Sequence, residues 1–244
     1  MKAFLLAAGL GRRLHPLTAT TPKCLVAIDD RPLLDHWLDH LAREGVREVL
    51  VNAHHHAHQV AAHVAGRAGR PPVVHVRFEP TLLGSAGTIR EHRWFVEAED
   101  QFLICYADNL TDVNLRRMVT AHEASGAWFT MGLFQAERPW ECGIAEVSAS
   151  GRVVAFEEKP ARPRSNLANA GIYVASPLLF AYMDSRRPLD LGYHVLPRLV
   201  GHMYGYVIGE YLLDIGTPEN LARAREEWPR RRSTAPAGAG GDRA

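Results

Sequence analysis

Apolar residues in this 244-residue chain fall into short runs, and their rhythm changes halfway along. In the first half, residues 3–6 and 48–52 read as buried strands, and 73–78 and 102–106 as further strands. Helical spacing takes over between them. Leu33, Leu34, Trp37, Leu38 and Leu41 make one apolar face of a helix at 32–43, and helices follow at 58–64, 86–95 and 113–123. Strand and helix in alternation argue for parallel βαβ units with right-handed crossovers. The second half is richer in strands, at 129–134, 143–147, 153–157 and 170–174, with a hairpin turn at Ser150-Gly151. Short helices are expected at 177–183 and 195–200, then a strand pair formed by 204–207 and 210–213. A last helix starts at Pro218, with Thr217 as its N-cap. The pattern predicts an α/β fold: a mostly parallel central sheet flanked by helices, with a smaller β-rich subregion.

Length and composition narrow this reading. With 47% hydrophobic residues the chain can build a sizeable core without disulfides, and a net charge of +1 gives no pull toward nucleic acid or an anionic membrane. The three cysteines, Cys24, Cys105 and Cys142, form no C-x-x-C pair, which favours a reducing, cytoplasmic setting. No run reaches the roughly 18 apolar residues of a membrane span, and a glycine-arginine loop cuts off the N-terminal apolar run too early for a signal peptide. One domain is expected over residues 1–228, its two halves, at about 1–126 and 127–228, following the change of rhythm. Residues 229–244 read as a disordered tail, whose arginines at 230–232 are better explained by solvation than by nucleic acid. The apolar helix faces suit a core or a homo-oligomer interface equally.

The most informative stretch follows the first strand: Leu6-Ala7-Ala8-Gly9-Leu10-Gly11-Arg12-Arg13, continuing to Pro22-Lys23. Glycine lets the backbone come close to a phosphate, and exposed N–H groups can then donate to its oxygens. Arg13 and Lys23 add full positive charge. The spacing is neither that of the P-loop nor G-x-G-x-x-G. Ligands of parallel α/β sheets bind at the carboxyl ends of the strands. Two carboxylates stand at such ends: Asp108, in Tyr106-Ala107-Asp108-Asn109, and Asp214, in Asp214-Ile215-Gly216-Thr217-Pro218. Such a pair suits Mg²⁺, which takes one or two carboxylates and shares the rest of its shell with phosphate and water. Lys159, at the end of a strand-like run, can bind a phosphate. Glu158 and Asn169 can hydrogen-bond hydroxyls, and Gly143 lets a ligand come close to the backbone.

The run Leu6–Lys23 resembles the opening motif of the sugar-phosphate nucleotidyltransferases, L-A-A-G-x-G-T-R-L-x-P-L-T…P-K, with Arg12 in place of the usual Thr. Five further motifs follow in the family's order. Gly84-Ser85-Ala86-Gly87-Thr88 is similar to the G-T-A-G turn that faces the base. Tyr106-Ala107-Asp108-Asn109 is similar to the metal motif, with Ala107 in a Gly position. Phe156-Glu157-Glu158-Lys159-Pro160 resembles F-x-E-K-P, Asn169-Ala170-Gly171-Ile172-Tyr173 resembles N-x-G-I-Y, and Asp214–Glu219 resembles the closing motif. The resemblance implies a Rossmann-like, GT-A-like fold and transfer of a nucleotidyl group from an NTP to a sugar 1-phosphate. Arg13, Lys23 and Asp108 would be catalytic, and Asp108 and Asp214 would hold Mg²⁺. Leu6, Ala7, Ala8, Gly9, Gly11, Arg12, Gly84, Ser85 and Gly87 would bind the nucleotide, and Gly143, Glu158, Lys159 and Asn169 the sugar phosphate. The runs 79–88, 139–143 and 165–171 look most like guanylyltransferases for mannose 1-phosphate or a manno-heptose 1-phosphate, which implies GTP. The alternatives are a thymidylyl- or uridylyltransferase acting on glucose 1-phosphate, or a non-catalytic sensor of NDP-sugars. A glycosyltransferase with a D-x-D motif is disfavoured by Asp108-Asn109-Leu110.

Two features are set aside. His54-His55-His56 and His58 could bind a transition metal, but no Cys or carboxylate cluster joins them, and they read as a solvated helix start. Cys24 begins an apolar run and reads as a small buried residue.

Overall fold

The structure is a computed structural model in which residues 1–234 are described. In chain order it comprises β1 (Lys2–Leu6), β2 (Ala27–Ile28), β3 (Arg31–Pro32), α1 (Leu33–Arg43), β4 (Glu48–Ala53), α2 (Ala57–Ala65), β5 (Val73–Phe78) and α3 (Ser85–Glu91). Then come β6 (Phe102–Tyr106), β7 (Asn109–Thr111), α4 (Leu115–Ser125), β8 (Phe129–Gln135), β9 (Gly143–Val147), β10 (Val153–Glu158) and β11 (Leu167–Ala175). The described chain closes with β12 (Met203–Val207), β13 (Leu212–Asp214) and α5 (Pro218–Thr234).

One nine-stranded sheet runs through both halves, with β10, β9, β11, β6, β1, β4 and β5 side by side, β8 joined to β11 and β12 to β8. The strands β6, β1, β4 and β5 are parallel. The second half adds mainly antiparallel pairs, β11 against β6, β8 and β9, and β9 against β10. Side chains alternate across each strand, so β1 feeds two cores. Ala3 and Leu5 pack with Leu34, Leu38, Leu41, Met118 and Leu221 from α1, α4 and α5. Phe4 packs on the opposite face with Ala86, Ile89, Phe95 and the Leu189–Leu199 segment.

Two expectations are corrected. The segments near 204–207 and 210–213 do not pair with each other: β12 adds in parallel to β8, whereas β13 crosses over to pair with β7. The final helix also continues to Thr234 instead of giving way to an unstructured tail at 229. Pro229 lies inside it, but flanking contacts hold the turn. The Trp228 ring is buried against Tyr211 and His36, and Arg231 pairs with Asp112 while lying over the Tyr211 ring. The rest of the expected tail, 235–244, lies outside the described residues.

Candidate active site

The carboxyl ends of β1, β4 and β6 open on one side of the sheet, and the β1 loop folds over them. The backbone there is set by contacts distant in sequence. Ala7 N donates to Asn52 Oδ1 at the end of β4 (2.7 Å), and Ala107 N to Leu6 O (3.0 Å). Gly11 takes φ +62°, and a Cβ on it would lie 2.9 Å from Thr18 Cγ2. Thr18 Oγ1 in turn donates to Gly11 O (2.7 Å), so this glycine serves the turn itself. At Gly9 a Cβ would meet nothing within 4 Å, which leaves the backbone open to a ligand.

Below the loop lies a cavity of about 250 Å³ lined by Leu6, Ala7, Ala8, Gly9, Lys23, Asp108 and the turn at Gly84-Ser85, among others. Lys23, nine-tenths buried, donates to Asp108 Oδ2 (3.0 Å) and Asp214 Oδ1 (3.2 Å), and Arg13 Nη2 lies 3.5 Å from Asp214 Oδ2. Burial by itself would lower the Lys23 pKa, but the two carboxylates outweigh it and hold the ammonium above its ordinary value. These four charges come from places far apart in the chain. The β7–β13 pairing unites them: it sets Asp214 opposite Asn109, and Ile215 N donates to Asp108 O (3.0 Å). Gly216 packs into the cluster, where a Cβ would stand 2.6 Å from Arg13 Nη2, 2.8 Å from Asp214 Oδ1 and 2.9 Å from Lys23 Nζ.

Asn52, Glu79 and Thr88 also border the cavity, and the sequence did not mark them as site residues. The Glu79 carboxylate is buried and forms no ion pair among the described residues. It accepts from Asn52 Nδ2 (2.9 Å), Thr88 Oγ1 (2.5 Å) and Leu83 N (3.2 Å). The available signals are a polar residue at a strand end, Asn52, and the run 79–88, which holds Glu79 and Thr88. Gly84 and Gly87 are closely packed. A Cβ on Gly84 (φ +80°) would lie 2.4 Å from Leu189 O, and one on Gly87 3.2 Å from Leu83 Cβ and 3.6 Å from Leu189 N. Ser85 Oγ donates to Asp190 Oδ2 (2.9 Å) and accepts from Leu191 N (2.7 Å), which ties this turn to the second half.

There Glu158 stands opposite Gly143 in the β9–β10 ladder. Its Oε2 would lie 2.5 Å from a Cβ on either Gly143 or Gly192, so the carboxylate threads between two glycines. Burial raises its pKa, Asp190 adds to the rise and Lys159 opposes it. Asn169 donates to Tyr173 Oη (2.7 Å) and accepts from Gly171 N (3.0 Å), and Tyr173 meets Tyr106 edge-on. Lys159 is exposed in a left-handed turn (φ +51°). The structure thus joins Arg13, Lys23, Asp108 and Asp214 directly. Leu6, Ala7, Ala8, Gly9, Gly84 and Ser85 line the cavity beside them; Gly143, Glu158, Lys159 and Asn169, on or beside β9, β10 and β11, lie outside that lining, and Arg12 is exposed on the loop.

Of the discounted features, Cys24 is buried, and burial pushes its thiol up to about 12, which makes it a poor nucleophile. The histidines are not a bare helix start. Each of His54, His55 and His56 donates to a backbone carbonyl.

A family model described as nucleotidyl transferase matches residues 2–230. The chain belongs to the nucleotidyl transferase family. It is 28% identical to a mannose-1-phosphate guanylyltransferase catalytic subunit beta from Danio rerio, over 97% of this chain and 69% of the relative. It is 30% identical to a UTP–glucose-1-phosphate uridylyltransferase from Synechocystis sp., over 82% of this chain but 55% of that protein. The chain therefore spans between about half and two thirds of these curated relatives. The nucleotidyl transferase fold is matched by the crystal structure of a putative glucose-1-phosphate thymidylyltransferase from Bacillus anthracis, in complex with a sucrose. The TM-score is 0.83 at 23% identity, covering 93% of this chain and 94% of that one. HddC from Yersinia pseudotuberculosis, complexed with GMP-PN, superposes with a TM-score of 0.79 at 21% identity, covering 93% and 99%. Among the described residues of this nucleotidyl transferase, no helix is long and apolar enough to cross a membrane.

Proposed function

We propose that this nucleotidyl transferase makes an NDP-sugar and pyrophosphate from an NTP and a sugar 1-phosphate. The observation that carries this reading is the Lys23 ammonium between the Asp108 and Asp214 carboxylates, with Arg13 beside them, at the rim of a cavity whose Gly9 backbone is open. Both substrates are anions, so the reaction needs alignment and charge neutralisation more than a side-chain nucleophile. Arg13 and Lys23 neutralise the triphosphate and the departing pyrophosphate. A phosphate oxygen of the sugar 1-phosphate attacks the α-phosphorus, the bond to the β-phosphate bridging oxygen breaks, and that oxygen keeps the electron pair. Lys159 holds the sugar phosphate, and Glu158 and Asn169 accept from and donate to sugar hydroxyls.

The donor set also fits Mg²⁺. Asp108 Oδ2 and Asp214 Oδ1 already converge on one cation, the ammonium of Lys23. Among the described residues no cluster of three or more His, Cys, Asp or Glu forms a closed cage, so the two carboxylates suit an ion that completes its shell with phosphate and water. Bound there, Mg²⁺ would supply further neutralisation of phosphate charge.

For the base and sugar we favour GTP with mannose 1-phosphate or a manno-heptose 1-phosphate. The guanylyltransferase name of the Danio rerio relative and the GMP-PN complex of HddC support this choice. The Synechocystis relative and the Bacillus anthracis structure support the uridylyl and thymidylyl alternatives. Pyrophosphate release with Mg²⁺, measured for ATP, GTP, UTP, CTP and dTTP against mannose, heptose and glucose 1-phosphates, decides between them. Turnover of one pair, abolished by EDTA, establishes the reaction and names both substrates. Silence across the grid, from protein that still binds an NDP-sugar, replaces the enzyme by a sensor.

A further inference from the structure

The histidine run after β4 grips the β1 loop. His55 Nε2 donates to Thr18 O (2.9 Å), His56 Nε2 to Ala19 O (2.8 Å), and Gln59 Nε2 to Thr20 O (2.8 Å). Those are three consecutive carbonyls, at the end of the 3-10 turn Leu17–Ala19. The last carbonyls of a short helical turn have no partner within it, so donors from another element act as its C-cap. The arrangement costs α2 something. His56 occupies its N-cap position with φ 50°, ψ 38°, a left-handed conformation that a side chain rarely takes, and gives no side-chain cap to its own helix. Its imidazole goes to Ala19 instead. From Thr18 the contact runs on: Thr18 Oγ1 donates to Gly11 O, next to Arg12 and Arg13. The same strand end holds Ala7 through Asn52, and His54 Nδ1 holds Glu79 O (2.7 Å).

We infer that His55, His56 and Gln59 are positioning residues that hold the loop carrying Arg13 ready for the triphosphate, and that they are not metal ligands. The link to the triphosphate rests on the function proposed above. A loop ordered only part of the time binds its ligand more weakly by the fraction ordered. Losing two hydrogen bonds at the loop should lower that fraction about tenfold.

The test compares wild type with His55→Ala/His56→Ala, with His55→Gln/His56→Gln, whose amides offer an N–H at similar reach, and with His58→Ala as control. His58 is exposed, and among the described residues its contact is with the His56 ring. Hydrogen exchange of the peptide covering residues 12–23, with no ligand present, should speed up about tenfold in the alanine pair, return in the glutamine pair and stay unchanged in the control. The KM for the NTP should rise about tenfold in the alanine pair, with the KM for the sugar phosphate unmoved. Unchanged exchange, an equal rise in both KM values, no rescue by glutamine, or a transition metal retained by wild type and lost from the alanine pair would each overturn the latch. If wild type turns over no substrate pair, the proposed function fails, and exchange alone still decides whether the histidines order the loop.

Discussion

Replacing Lys23 by Met separates catalysis from stability. The variant keeps most of the apolar stem and removes the charge between Asp108 and Asp214. Loss of one preorganised charge at a phosphoryl centre costs about 10²–10³ in turnover, or about 3–4 kcal/mol. The stability cost should be far smaller. Burial opposes the ammonium, so its removal also removes a penalty. The side chains of Asp108 and Asp214 are 39% and 44% exposed, so solvent screens their attraction to Lys23 and limits the loss to about 1 kcal/mol. In a chain of this size that is about 2–4 °C in Tm. Arg13 remains beside Asp214 to relieve the repulsion between the carboxylates. The assay is pyrophosphate release at saturating substrates, paired with thermal unfolding of the same preparation. Turnover above about a tenth of wild type would refute the role given to Lys23. A fall in Tm beyond about 10 °C would show that the charge cluster holds the fold together, contrary to the screening argument.

Gly216→Ala places a methyl among Arg13, Asp214 and Lys23. Arg13 and Lys23 can move their ends aside, so Tm should hold within about 4 °C while kcat falls at least about tenfold; steady-state kinetics with melting curves check both. Gly84→Ala meets the Leu189 backbone at 2.4 Å with φ +80°, and neither side can yield cheaply. It should destabilise by about 3 kcal/mol or more, read as a lower denaturation midpoint with unchanged slope. Glu158, whose pKa is raised by burial, binds more protons folded than unfolded, so its contribution to stability is full below the ordinary value of 4.5 and is lost as pH rises through the raised one. Glu158→Gln should therefore match wild type in Tm near pH 4 and exceed it at neutral pH, while the KM for the sugar phosphate rises. A constant difference in Tm at all pH values would contradict the burial argument.

Local pattern alone determined most elements here, because a strand buried on both faces and an amphipathic helix write their periods directly into the chain. The runs 73–78, 102–106 and 143–147 coincide with β5, β6 and β9. Because strand ends of a parallel sheet face one edge, Asp108 and the β1 loop are legible as neighbours from the sequence. The motif order likewise carried the family. Tertiary structure decided what depends on partners remote in sequence. The segment at 212–214 carries no mark that says whether it pairs with its neighbour 203–207 or with 109–111. Only the second choice sets Asp214 beside Asp108 and Lys23. Nothing in the local pattern sets Asn52 or Glu79 apart, and their role follows from hydrogen bonds to Ala7, Thr88 and Leu83. The histidines looked like a solvated helix start because the carbonyls they serve lie 37 residues earlier in the chain. A hydrogen bond across that distance leaves no period in the sequence; it exists only once the sheet has brought both ends together.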